Sequence, residues 1–283
     1  MPRRWAWTTS LVLGAAVVLA GCEAPPMPTI RAPWIATEPR DAEPEMRAPD
    51  MGPPRWERIG SSIRGKAIEA LTIGDGPRKI YVIGGIHGDE PEGPLAAALL
   101  PQMLTELTEI RSATIRIVRD MNPDGTASRT RGNTRGADLN RNWPSPTFAA
   151  DRRTSPRPKS ELETGVVYED MRRFNPDIVV VFHSSARGPE VTFEGQGLLP
   201  GREFVSAARR QDPRWRLVPE TRYQTPGSLE SMVGKEWRKP VLIVEFFRGR
   251  DAATNARSAR DGLLATLSTS PAAPIAGSTR FSA

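Results

Sequence analysis

The chain carries two histidines, His87 and His183, and each follows an apolar stretch of strand length, KIYVIGGI before the first and PDIVVVF before the second. Glu90 stands three residues after His87 in H-G-D-E. Two imidazoles and one carboxylate are the His2Glu donor set that holds a catalytic zinc ion and leaves one position for water. A zinc hydrolase is the chemistry these residues favour. The pattern H-x-x-E is short, Asp89 and Glu92 are rival carboxylates, and acids at a helix start are favoured by the helix dipole without any metal. A lone histidine at a strand end is ordinarily hydrogen-bonded structure, so the combination carries the reading.

Glu245 lies inside V-L-I-V-E-F-F, where an ionised, unpaired carboxylate would cost several kcal/mol. It faces outward, pairs with a buried arginine, or serves as a general base whose pKa is raised by its apolar setting. The segment R-T-R-G-N-T-R-G-A-D-L-N-R-N-W interleaves Arg129, Arg131, Arg135 and Arg141 with Asp138, Asn140 and Asn142. A charge run is commonly a solvated face. This mix of guanidinium forks and amides also suits carboxylate recognition or oxyanion stabilisation.

Positioning these groups requires strands whose ends lie side by side. Lys79 to Ile86 reads as a buried strand, Pro91 to Thr105 as a helix opened by proline and acids, and Thr114 to Arg119 as a strand. Asn122-Pro123-Asp124-Gly125 reads as a turn. Ser160 to Phe174 reads as a helix entered through the capping box S-E-L-E. The runs PDIVVVF and KPVLIVEFF are too apolar for half-exposed strands and are expected at the centre of a sheet. Alternation of this kind predicts an α/β fold, a mixed and mostly parallel central sheet with helices on both faces. Ligands of such sheets gather at the carboxyl ends of the strands, where His87, His183 and Glu245 all fall.

The flanks read differently. Met1 to Thr9 holds Arg3 and Arg4 and no acid, and Leu11 to Ala20 is continuously apolar, a secretory signal too short to span a bilayer. Cys22, the only cysteine, follows Leu19-Ala20-Gly21, a stretch that resembles a bacterial lipobox. We therefore expect a lipoprotein signal peptide over 1–21, lipidation of Cys22, and a Pro-rich tether over 22–55. A catalytic domain over 56–268 and a flexible tail over 269–283 complete the expected organisation. The expected location is the cell envelope, with a membrane contact through that lipid and a monomeric chain. A formal net charge of +6 invites a nucleic-acid reading. The arginines are scattered, aromatics are few, and no stacking platform or nucleic-acid module is present, so that partner is not expected.

From Arg78 to Phe247 the chain resembles the zinc metallocarboxypeptidases of the pancreatic carboxypeptidase type, and within them the small bacterial murein peptide amidase branch. The most specific segment of the resemblance is R-x-N-x-x-G-x-D-L-N-R-N-W-P, beginning at Arg131. The resemblance implies one Zn2+ held by His87, Glu90 and His183, with Glu245 deprotonating the attacking water and later protonating the leaving amine. It makes Arg131 the oxyanion arginine, Asn140 and Arg141 the clasp for a terminal carboxylate, Asp138 the acid orienting His87, and Tyr223 the tyrosine that closes over substrate. Arg131 is preferred to Arg129 and Arg135 because its distance to Asn140 and Arg141 fits the pattern. The segment Y-Q-T-P-G-S-L from Tyr223 is compressed relative to the pancreatic enzymes, although T-P-G-S-L is similar to the amidase branch. The implied substrate is a peptide or muropeptide cleaved at its C-terminal amide bond, in murein the γ-D-glutamyl to diaminopimelate bond. The rivals are a zinc deacylase of the aspartoacylase or succinylglutamate desuccinylase kind and a non-catalytic envelope-binding lipoprotein. The second would be expected to have lost a ligand or the base, and all four residues stand here.

Overall fold

The computed structural model describes residues 55–105, 107–151, 156–218 and 225–269. The expected signal peptide, Cys22, the tether except Arg55, Tyr223 and all of the tail but Thr269 lie outside the described residues. Eight strands are found among those described: β1 (Glu57–Ser61), β2 (Ala67–Ile73), β3 (Arg78–Ile83), β4 (Ala113–Val118), β5 (Ile178–Ser185), β6 (Glu190–Glu194), β7 (Arg216–Leu217) and β8 (Val241–Phe247). They form one sheet in the order β1-β2-β4-β3-β5-β8-β6-β7. The central ladder β4-β3-β5-β8 is parallel throughout, and antiparallel pairs join it to the outer strands at β2 and β6.

β-branched residues make the centre. All of β5 except Ser185 is buried, because strands covered on both faces have no solvent side to keep polar. One face carries α1 (Glu92–Leu104), α4 (Leu198–Ala208) and α6 (Ala252–Thr266), which pack on one another over Ile80, Val82, Ile178, Val180, Leu242 and Val244. The opposite face buries Tyr81, Ile83, Val179, Val181 and Val241 beneath α3 (Leu162–Phe174) and Trp143. Among the described residues no helix is long and apolar enough to cross a membrane.

Three local expectations need correction. The strand expected to run to Ile86 stops at Ile83, because Gly84-Gly85 turns the chain away; Gly85 has φ +69, and a Cβ there would meet Asp120 Oδ1 at 2.3 Å. Asn122-Pro123-Asp124-Gly125 is a helix start rather than a simple turn. Asn122 caps α2 (Pro123–Ser128) by accepting from Gly125 N, with proline at the first helical position where its missing N–H costs nothing. The S-E-L-E capping box does not form either. Ser160 Oγ accepts from Asn142 Nδ2, and Glu163 accepts from Ile63 N and Asn133 Nδ2, so both members are used to hold neighbouring loops.

On the α3 side Asp170 accepts from Arg116 Nε at 2.7 Å, Arg116 Nη2 at 2.8 Å and the Tyr81 hydroxyl at 2.7 Å. This ties α3 to β3 and β4 through a buried, bidentate charge pair. Asp170→Ala would leave Arg116 with only the exposed Glu57 as a carboxylate partner and should destabilise the chain by about 3 kcal/mol. A thermal midpoint equal to the native protein's would contradict that.

Candidate metal centre and active site

Sheet topology brings the chemistry together. β3 and β8 both flank β5, so the loop after β3 and the ends of β5 and β8 share one edge. His183 lies within β5 near its carboxyl end rather than just past it, and it is paired in register with Glu245 on β8. Their side chains therefore emerge on the same face of the sheet. The loop carrying His87 is pressed against α2, where a Cβ on Gly88 would meet Gly125 C at 2.0 Å and Gly88 N donates to Arg131 O.

His87 Nδ1 lies 3.0 Å from Glu90 Oε1, His183 Nδ1 lies 2.9 Å from Glu90 Oε2, and the two Nδ1 atoms face each other at 3.1 Å. One donor atom from each residue falls within 4.8 Å of the others, and all three residues are buried. Tetrahedral zinc with bonds near ~2.0 Å sets its ligand atoms about 3.3 Å apart, so the spacing fits that ion. Of the rival acids, Glu92 accepts from Gly249 N through Oε1 and Asp89 stands outside the cluster.

Charge in the cluster is strongly coupled. Burial alone would raise Glu90, yet hydrogen bonds from His183 and His87 and their charge together hold it well below the usual carboxylate range. Burial would lower His183, but its hydrogen bond with Glu90 and the charges of Glu90, Glu245 and Glu230 push it up to about 9. A cation entering the cluster would have to displace that proton.

Asp138 caps a single helical turn, Leu139–Arg141, and its Oδ1 accepts from Asn140 N and from His87 Nε2 at 3.1 Å. That bond fixes which ring nitrogen of His87 faces Glu90. Burial would raise Asp138; His87, Arg131 and Arg141 hold it well below the ordinary range. Arg131 donates through Nε to Asp138 Oδ2 and through Nη1 to Glu90 Oε1 at 3.3 Å. Arg129 is exposed at the end of α2 and Arg135 reaches Glu161 at 3.6 Å, so neither touches the cluster.

Glu245 is half-buried beside the histidines, and its Oε2 is buried without a partner. Burial pushes its carboxyl above the usual range, against the opposing pull of His183. Arg141 Nη1 donates to Asn140 O. Asn140 is itself engaged, with Oδ1 accepting from Leu229 N at 3.0 Å and Nδ2 donating to Glu230 Oε1 at 2.9 Å.

Glu230 is the acid that sequence reasoning missed. It sits in the short helix α5 (Leu229–Ser231), ninety positions from Asn140, and its Oε2 is buried with no partner. Nothing in T-P-G-S-L-E signals that pairing, which exists only in space.

Proton transfer beside a dication held by histidine and carboxylate, at the carboxyl edge of a mixed α/β sheet, is the chemistry of metallohydrolases. Residues 53–190 match the zinc carboxypeptidase family model, and over that stretch the chain is similar to that family. Murein peptide amidase A of Escherichia coli K12 is 28% identical over 199 residues, which cover 63% of this chain and 76% of the relative. An uncharacterized protein of Zymomonas mobilis is 33% identical over 102 residues, 32% of this chain; the match spans only 26% of that relative's length. Among solved structures, the murein-tripeptide amidase of Escherichia coli O157 superposes with a TM-score of 0.60 at 24% identity, covering 77% of this chain and 94% of that one. Bovine thrombin-activatable fibrinolysis inhibitor gives 0.61 at 18% identity over 76% of this chain and 88% of its own. These structures share the fold, a mixed, mostly parallel sheet with helices on both faces.

Proposed function

We propose that this chain is a zinc-dependent peptidase or amidase that cleaves the C-terminal amide bond of a murein stem peptide, between the γ-carboxyl of D-glutamate and diaminopimelate. The observation carrying the reading is the His87, Glu90 and His183 cluster with the unpartnered Glu245 Oε2 beside it. Zinc held by those three side chains would supply Lewis acidity and bring the pKa of a bound water toward ~7.

The chain's own groups do the rest. Glu245 takes the proton of the attacking water and returns it to the leaving amine. Arg131, whose side chain is 47% exposed, would turn from Glu90 toward the oxyanion that develops on the scissile carbonyl. Arg141 holds the terminal carboxylate, and Asn140 contributes the N–H that Glu230 leaves free. Asp138 keeps His87 oriented, and Tyr223 is assigned the closing role.

Glu230 narrows the substrate. A buried carboxylate oxygen with no partner beside the terminal-carboxylate clasp fits an ammonium group on the departing residue, which diaminopimelate supplies. Lipidation of Cys22 would hold such an enzyme in the cell envelope within reach of murein.

The purified protein should release diaminopimelate from L-alanyl-γ-D-glutamyl-diaminopimelate, and a chelator should stop it. Glu230→Gln should raise KM for that tripeptide about tenfold, since a charged hydrogen bond is worth roughly 1.5–3 kcal/mol. Cleavage of small N-acyl amino acids in place of the tripeptide would transfer the assignment to the deacylase rival.

A further inference from the structure

Beyond Glu245 the rim of the site is positively charged on the side reached through β5 and β8. Arg248 is the first residue after β8. Its backbone N–H donates to Ser185 O, and its guanidinium Nη2 lies 3.4 Å from Ser184 O, on the residue next to His183. Arg187 follows the end of β5, where its N–H donates to Ser185 Oγ. Both side chains are exposed, and neither has a carboxylate partner among the described residues. Their neighbours are neutralised, Arg216 by Glu190, and Arg214 and Arg250 by Asp212. The unbalanced charge is therefore local to Arg248 and Arg187.

A carboxylate stands at another part of the site, reached through Asn140. Glu230 is held by Asn140, and Asn140 by Asp138, the residue that accepts from His87. The Asn140 side, which also carries Arg131 and Arg141, thus offers a carboxylate oxygen with no partner, on Glu230, and the Ser184 side offers a guanidinium with no carboxylate partner among the described residues, on Arg248. A substrate matching these two unpaired groups carries an ammonium for Glu230 and a carboxylate for Arg248.

We propose that Arg248, supported by Arg187, is a specificity residue that binds a free carboxylate on the acyl side of the scissile bond. This rests on the stem-peptide reading above, in which D-glutamate joined through its γ-carboxyl leaves its α-carboxylate free at that place. An exposed guanidinium can meet such a group through a two-pronged, charge-assisted hydrogen bond without giving up its contact with Ser184 O.

The test compares two tripeptides that differ only in whether the D-glutamyl α-carboxyl is free or amidated. The native enzyme should favour the free acid by about tenfold in kcat/KM, as expected for one charge-assisted contact. Arg248→Gln should bring the ratio near unity, Arg248→Lys should keep part of it, and Arg257→Gln, on the far helix α6, should keep all of it. The preference should also shrink with added salt. Equal cleavage of both peptides by the native enzyme, or an unchanged ratio in Arg248→Gln, overturns the assignment while leaving the stem-peptide reading intact. If neither peptide is cleaved, the stem-peptide reading fails and this inference falls with it.

Discussion

Glu245→Gln should leave one zinc per chain and lose about a thousandfold or more in kcat on any peptide the native enzyme cleaves. The amide is close in size to the carboxylate, so the packing of β8 against β5 is kept and the register His183↔Glu245 is undisturbed. What goes is the lone pair that accepts the water's proton, and general acid–base catalysis contributes about 10² to 10⁴ in rate. KM should change little, because Glu245 makes no hydrogen bond that would hold the ground-state peptide. A variant with full metal content and near-native kcat would remove Glu245 as the base. The change also relieves a buried carboxyl of its desolvation cost, so the variant should be no less heat-stable than the native chain.

His183→Ala should strip the metal and abolish turnover together. The residue is 4% exposed and supplies one of three donor atoms, and a catalytic zinc site reduced to two protein ligands no longer has the donor count that holds the ion. Elemental analysis after dialysis should fall from one zinc per chain to nearly none, while far-ultraviolet circular dichroism stays native-like. The variant also leaves Glu90 with one fewer partner, and Ser184 N and His87 remain to hold it. Unchanged zinc content would contradict the ligand role directly. Together the two variants separate metal binding from proton transfer, which a single loss-of-activity result would not.

Parts of this architecture are legible in a linear reading because they follow from local physics. β-branched runs of strand length with no polar alternation favour central strands, and β5 and β8 lie inside the sheet. The helix over Pro91 to Thr105 appears as α1 with its boundaries moved by one residue at each end. Where local signals failed, a tertiary partner had claimed the residue. Ser160 and Glu163 have the spacing of a capping box, but Asn142, Asn133 and Ile63 compete for the same oxygens and win, since those bonds satisfy buried groups. Asn-Pro-Asp-Gly has turn composition and helix-start composition at once, and only the six-residue α2 that follows decides between them.

The sequence by itself determined the donor types. With two histidines in the chain, each beyond an apolar run, and an acid three residues after one of them, the composition of a metal site is restricted to very few residues. Tertiary structure decided which groups meet. Glu90 rather than Asp89 or Glu92 faces the imidazoles, Arg131 rather than Arg129 or Arg135 reaches the cluster, and Glu230 arrives from ninety residues away beside Asn140. The reason is one of range. Hydrophobic periodicity acts over a few residues and is written along the chain, whereas the direction of a side chain in a loop depends on the strand order β3-β5-β8 and on turns whose geometry is set by neighbours distant in sequence.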